Sequence, residues 1–237
     1  MRKNHIIEMD NSRCKLIVNS KEVFYIKRGM NAYSKDLKSK EEIKNSKLKI
    51  ILEGEEIFIC RIVTPRVSKS KLYLIVRNEI IKKFRNMDNI IFDYTVFNRT
   101  KQNVEVCIYC VNASRLPLLN KVLFDKVYIK SIDTIQQLYI DYCNKRIVEK
   151  SYILLVNKGE YIYFLEVKEN VLVRNRTMKY MDNDVKILGL EFLKEINECN
   201  GEVKSIYILG EKNSEVIKIA KVNEMEKFLE REQISMK

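Results

Sequence analysis

The sequence predicts an α/β fold built on a duplicated plan. A three-strand meander opens each half of the chain, at residues 5–27 and again at residues 154–176. Each meander is followed by helical stretches alternating with short apolar strands. In addition, only six glycines and two prolines occur in 237 residues, which leaves no flexible linker visible.

In the first meander, residues 5–9, 14–18 and 23–27 are β-rich runs, and Asp10-Asn11-Ser12 and Asn19-Ser20-Lys21 supply the turns. A polar, mobile stretch over residues 28–47 precedes runs 48–52 and 56–63, which read as a hairpin across Glu53-Gly54-Glu55 ended by Pro65. Leu72, Val76, Ile80 and Phe84 then recur every four residues behind Ser70, the pattern of an amphipathic helix. Its other face carries Lys71, Arg77, Asn78 and Lys82. Alternating segments 91–98 and 104–111 follow, joined by a polar turn over 99–103. A helix runs from Ser114 to about Phe124, residues 127–132 form a strand, and Asp133 caps a helix with Ile135, Leu138, Tyr139 and Tyr142 on one stripe.

In the second half, the strands of residues 154–176 break at Lys158-Gly159 and Glu169-Asn170. Asp182 caps a helix with Val185, Leu188, Phe192 and Ile196 on one face, ended by Asn200-Gly201. Residues 205–209 form a buried strand, Gly210 turns the chain, and Val216, Ile219 and Ala220 open another helical pattern. Met225, Phe228 and Leu229 lie at helical spacing among charges of both signs, which reads as a packed terminal helix rather than a membrane anchor.

Composition narrows the function classes. With 46% apolar residues the chain buries a proper core. Six scattered cysteines lack the paired spacing of a disulfide scaffold and suit a reducing compartment. Neither a secretory leader nor an apolar run of membrane-spanning length is present, so the expected location is cytoplasmic. Charge is uneven: residues 1–150 hold 30 Lys and Arg against 17 Asp and Glu, whereas residues 151–237 hold 14 against 15. A basic first part suits an acidic partner, such as an anionic leaflet, an acidic peptide or nucleic acid. A Lys-, Ile- and Asn-rich composition with solvated lysines accounts for the same tally.

Catalytic signals are thin. His5 is the single histidine, so any Ser/His/Asp or Cys/His arrangement must include it, and its place at a strand start favours surface or packing. Cys107 and Cys110 lie three apart in an alternating strand and point to opposite faces, which excludes shared metal ligation. No catalytic or metal-ligating set is expected. Tyr25 and Tyr128, each with lysines nearby, are candidates for stacking on bases, but no nucleic-acid motif accompanies them. The sequons at Asn98, Asn112 and Asn175 carry no meaning in a cytoplasmic protein.

The most specific stretch is RIVTPRVSKSKLYLIVRNEIIKKFRNMDNIIFDYTVF, residues 61–97, with Arg61, Pro65, Glu79 and Phe92-Asp93-Tyr94 in that order. It is followed by CIYCVNASRLPLLNKVLF and then YIKSIDTIQQL. This succession resembles the actin-like proteins of type IV pilus assembly, the PilM family, and is similar also to the cytoplasmic part of the type II secretion protein GspL. The resemblance spans nearly the whole chain as a pattern of elements. It implies an actin-like (ribonuclease H-like) duplicated fold with an inserted small α/β subdomain and a truncated second half. The implied subdomains are residues 1–55 with 112–150, an insertion at 56–111, and residues 151–237, in which only 28 residues separate Arg176 from Ser205 where actin-like ATPases carry a lid.

Three nucleotide loops of the actin-like fold map onto this chain, each altered. The first phosphate loop, Asp-x-Gly followed by Lys, falls on Glu8-Met9-Asp10 with Lys15; Asp10 puts a Cβ and a charge where phosphate must approach. Two like charges about 4 Å apart repel by roughly 4 kcal/mol at an effective dielectric of 20. The second reads Asn157-Lys158-Gly159, with Asn157 in place of the aspartate that holds metal-bound water. The third, a Gly-Gly turn, reads Gly210-Glu211. Each loop keeps one element and loses one, so no cofactor is expected. The resemblance implies a non-enzymatic cytoplasmic scaffold that docks the cytoplasmic tail of a single-span membrane-anchored pilus-assembly protein. It also implies communication with the assembly motor ATPase and peripheral contact with the inner membrane surface. The alternatives are a nucleotide-dependent actin-like switch and a basic nucleic-acid-binding protein.

Overall fold

Strand β1 (Asn4–Met9) sits at the middle of a five-stranded sheet because both of its edges find partners. On one side β2 (Arg13–Val18) and β3 (Lys21–Lys27) complete an antiparallel meander. On the other, β4 (Lys47–Leu52) and then β8 (Tyr128–Thr134) add in parallel, giving the order β3-β2-β1-β4-β8. The parallel neighbours of β4 explain its near-continuous apolar run, with Leu48, Ile50, Ile51 and Leu52 all buried. The computed structural model describes residues 4–10, 13–18, 21–27, 47–114, 128–179, 189–195, 205–210 and 226–228.

A second sheet repeats the plan. Strands β9 (Tyr152–Lys158), β10 (Tyr161–Lys168) and β11 (Val171–Lys179) form the meander, and β12 (Ile206–Gly210) and β13 (Glu226–Phe228) add to β9 in parallel, in the order β11-β10-β9-β12-β13. The two orders match strand for strand, which is the duplication expected from the sequence. The turn after β10 places Glu169 and Asn170 at φ 49° and 63°, the left-handed pair that matches the twist of a tight hairpin. One face of this sheet buries Ile153, Leu155, Ile162, Phe164, Met178, Ile206 and Ile208 with Phe192 and Leu193 of the helical segment 189–195.

The third sheet, ordered β5-β7-β6, comprises β5 (Phe58–Pro65), β6 (Ile90–Arg99) and β7 (Asn103–Asn112). Helix α1 (Lys69–Phe84) buries Leu72, Val76 and Ile80, as the four-residue spacing predicts. Its register is fixed at both ends: Tyr73 stacks on Phe92 with centroids 5.7 Å apart, and Phe84 meets Phe58 edge-on at 5.1 Å. Helix α2 (Ile135–Cys143) follows β8 directly.

Several local expectations change. Residues 48–52 and 56–63 do not form a hairpin; β4 has both edges occupied by β1 and β8, so the following strand joins another sheet. The cap of α1 is Ser68, whose hydroxyl accepts from the Lys71 N–H at 3.4 Å, rather than Ser70. Thr134 replaces Asp133 as the cap of α2, its Oγ1 accepting from the Gln137 N–H at 3.3 Å, because Asp133 still belongs to β8. The buried face of α2 is Ile135, Gln136, Tyr139, Ile140 and Cys143, with Leu138 and Tyr142 only half-buried. His5 is buried. In the tail, residues 226–228 are strand where helical spacing predicts helix, the short run Glu-Lys-Phe being taken up as a parallel edge on β12. Of the expected mobile stretch 28–47, Lys47 already belongs to β4; residues 28–46, residues 115–124 of the helix expected from Ser114, the start of the Asp182 helix, the Asn200-Gly201 stop and the pattern from Val216 lie outside the described residues.

The chain divides into two compact units. The first is Met1–Glu55, Met87–Ile91 and Val111–Leu138; the second is Glu56–Asn86, Phe92–Cys110 and Tyr139–Lys237. Within the second unit, the segment leading into β5 lies along the edge strand β11. The Asn175 side chain accepts from the Ile57 N–H at 2.9 Å and donates to the Ile57 carbonyl at 2.6 Å. The Tyr109 hydroxyl donates to the Leu172 carbonyl at 3.1 Å, and the Thr177 N–H meets Glu56 Oε2 at 3.5 Å. These contacts engage backbone groups that an edge strand otherwise presents to solvent.

Candidate functional site

In open α/β sheets ligands gather beyond the carboxyl ends of the parallel strands. In the first unit those ends are aligned by register, with Met9 of β1 opposite Leu52 of β4, and Leu52 opposite Thr134 of β8. The chain leaves β4 under restraint, the Glu53 N–H donating to the Met9 carbonyl at 2.7 Å. Glu8 and Asp10 are both buried here, Asp10 to 1% exposure. Antiparallel pairing places Lys15 directly across from Glu8, with Nζ 3.9 Å from Oε2. The lysine expected to meet a phosphate is thus engaged by the neighbouring carboxylate.

Apart from Asp133, read in the sequence as a helix cap, no motif marks the polar groups beside this strand end. Lys49 Nζ lies 3.4 Å from Asp133 Oδ2, which also accepts from the Ser131 hydroxyl at 2.9 Å. The fully buried Gln136 donates through Nε2 to the Glu55 carbonyl. A polar residue in the first turn of a helix that directly follows a strand is the available signal for Gln136, and it is weak.

The second and third loops meet in the second unit. Parallel register sets Gly210, the last residue of β12, beside Asn157 of β9. Asn157 is buried and Lys158 half-buried. Gly159 opens the β9–β10 turn at φ +61°, and a Cβ built there meets nothing within 4 Å. The cost of a side chain is therefore backbone strain alone, and Gly159→Val is expected to lower stability by about 1–2 kcal/mol, read from chemical denaturation. Glu211 lies outside the described residues.

Among the described residues no group of three His, Cys, Asp or Glu side chains could hold a metal ion. Cys107 and Cys110 are both buried on β7. Burial pushes the Cys14 thiol up to about 11, with the Asp10 charge adding to it, and the Cys110 thiol up to about 11. Burial likewise pushes Cys143 up to about 12 against the opposing charge of Arg146. All three start from an ordinary value of 9.0, so the stability gained by keeping them neutral is complete below pH 9. It is lost as pH rises through 11 to 12. Urea midpoints should fall above about pH 9, and less steeply in a Cys14→Ala/Cys143→Ala variant.

No helix among the described residues is long and apolar enough to cross a membrane. Compared by sequence, the chain matches no family profile and no curated protein. Compared by structure, it is similar to a chain of the PilM–PilN type IV pilus biogenesis complex, with a TM-score of 0.65 and 10% identity over 96% of this chain and 88% of the other. A Bacteroides thetaiotaomicron protein of actin-like ATPase fold and unknown function superposes with a TM-score of 0.54 and 12% identity, covering 96% and 91%. The cytoplasmic domain of EpsL, an inner-membrane component of the Vibrio cholerae type II secretion system, gives 0.50 and 6%, covering 93% and 94%. At such identities it is the fold that is shared: the chain has an actin-like α/β fold, similar to those of a chain of the PilM–PilN complex and of cytoplasmic EpsL.

Proposed function

We propose that this chain is a non-enzymatic scaffold of an inner-membrane assembly platform, of the type IV pilus kind or the related type II secretion kind. In this reading it binds the cytoplasmic tail of a single-span membrane partner and relays to the assembly motor. The likeness to the PilM–PilN complex over 96% of the chain supports the class of machine. The observation that carries the non-enzymatic part is Asp10. A buried carboxylate stands where the actin-like phosphate loop has glycine, and Lys15 is paired with Glu8.

The test is co-purification of the full chain with a peptide of the cytoplasmic tail of any single-span membrane protein encoded nearby. Saturable binding is expected, and failure to bind any such tail removes the reading. A nucleotide switch is the second reading, favoured by the juxtaposition of Gly210 with Asn157 and the open space at Gly159. Titration calorimetry with ATP and Mg²⁺ separates the two. The scaffold predicts no heat of binding, whereas tight binding abolished by Gly159→Glu would establish the switch.

A further inference from the structure

The outer face of α1 has a composition that its packing does not require. The helix and its C-cap, residues 69–85, contain six Lys and Arg and a single acidic residue, Glu79. That carboxylate is already held by Lys82, with Nζ 2.6 Å from Oε1. Leu72, Val76 and Ile80 face inward. At 100° per residue the opposite stripe is Lys71, Leu74, Asn78 and Ile81, with Arg77 alongside, and Arg85 follows the helix as its C-cap. Leu74 is 54% exposed and Ile81 half-buried, seven residues apart on this stripe, while Lys71, Arg77, Asn78 and Arg85 are exposed. Ser68 caps the start, and Arg85, at φ 58°, ends the helix with its N–H donating to the Ile81 carbonyl at 2.9 Å.

We propose that the outer face of α1 docks on an anionic lipid surface, with Leu74 and Ile81 seated at the boundary between headgroups and acyl chains. Lys71, Arg77 and Arg85 would then lie among the phosphates. Aliphatic side chains flanked by cations on a convex helix are what an interfacial helix needs. Nucleic acid would need the cations and aromatic platforms but gains nothing from an exposed leucine. An acidic peptide would seek a groove, and this face is the ridge of a helix. The inference rests on the scaffold reading and adds to it a direct contact with the membrane surface. Its test uses protein-free lipid, so its failure is distinct from failure to bind a partner tail.

The full chain is sedimented with vesicles of phosphatidylcholine alone and of phosphatidylcholine with one third phosphatidylglycerol. Binding to the anionic vesicles only, weakened by salt, is expected. Each cation neutralised should lower partitioning about fivefold, so Lys71→Gln/Arg77→Gln/Arg85→Gln should lower it about a hundredfold. Leu74→Ser should lower it several-fold more, and Lys101→Gln, at an exposed loop lysine, should leave it unchanged. The substituted residues are exposed, and an unchanged melting temperature confirms that each variant is folded. Equal partitioning to both vesicles, or partitioning indifferent to the triple substitution or to Leu74→Ser, overturns the proposal. So does retention of the chain on an oligonucleotide through the same residues without vesicle binding.

Discussion

Phe164→Ala is expected to lower the stability of the second unit by about 3–5 kcal/mol, enough to unfold a marginal domain at physiological temperature. Phe164 is fully buried on β10, its ring centroid 5.8 Å from that of Phe192, inside the cluster that joins β9, β10, β11 and β12 to the helical segment 189–195. Truncation removes the transfer free energy of the ring. It also leaves a cavity whose walls belong to paired strands and cannot collapse to fill it. Phe164→Leu keeps most of the volume and should cost less than half as much. Urea denaturation followed by tyrosine fluorescence measures both, and a loss below about 1 kcal/mol for the alanine variant would contradict this account of the core.

Asn175→Leu is the second large effect, expected at about 2–4 kcal/mol although it replaces a polar side chain with an apolar one of similar size. The amide is the partner of both the N–H and the carbonyl of Ile57, and these backbone groups are buried with it. Leucine fills the space and satisfies neither group, so two desolvated polar atoms remain. Asn175→Asp separates the two bonds, since a carboxylate still accepts from the N–H but does not donate to the carbonyl. Because Asn175 ties the β5 segment to β11, proteolysis between residues 53 and 57 should accelerate in the leucine variant before global unfolding. Resistance equal to the parent chain would show that the segment is held elsewhere.

The meanders were legible because each strand carries its own period-two or continuous apolar signal, and each turn its own punctuation. Lys158-Gly159 and Glu169-Asn170 mark the breaks in sequence, and the structure turns at both. Leu72, Val76 and Ile80 likewise announced the inward face of α1. Caps slipped by one or two residues, Ser70 for Ser68 and Asp133 for Thr134, since several adjacent residues have capping side chains and only backbone geometry chooses among them. Residues 226–228 illustrate the reverse: three residues hold too little pattern to resist a vacant parallel edge on β12.

Of the candidate site, the sequence by itself determined which chemical groups stand at the strand ends: Glu8, Asp10 and Lys15 in one half, Asn157, Lys158 and Gly159 with Gly210 in the other. Tertiary structure alone decided their state, burying Asp10, setting Lys15 against Glu8 and placing Gly210 beside Asn157. The same holds for Asn175, which in sequence is only the first residue of a sequon and in the fold is a buried clasp on Ile57. The physical reason is range. Periodicity, turns and charge are encoded within a few residues, whereas burial and pairing depend on which strand becomes the neighbour, here across a separation of 118 residues.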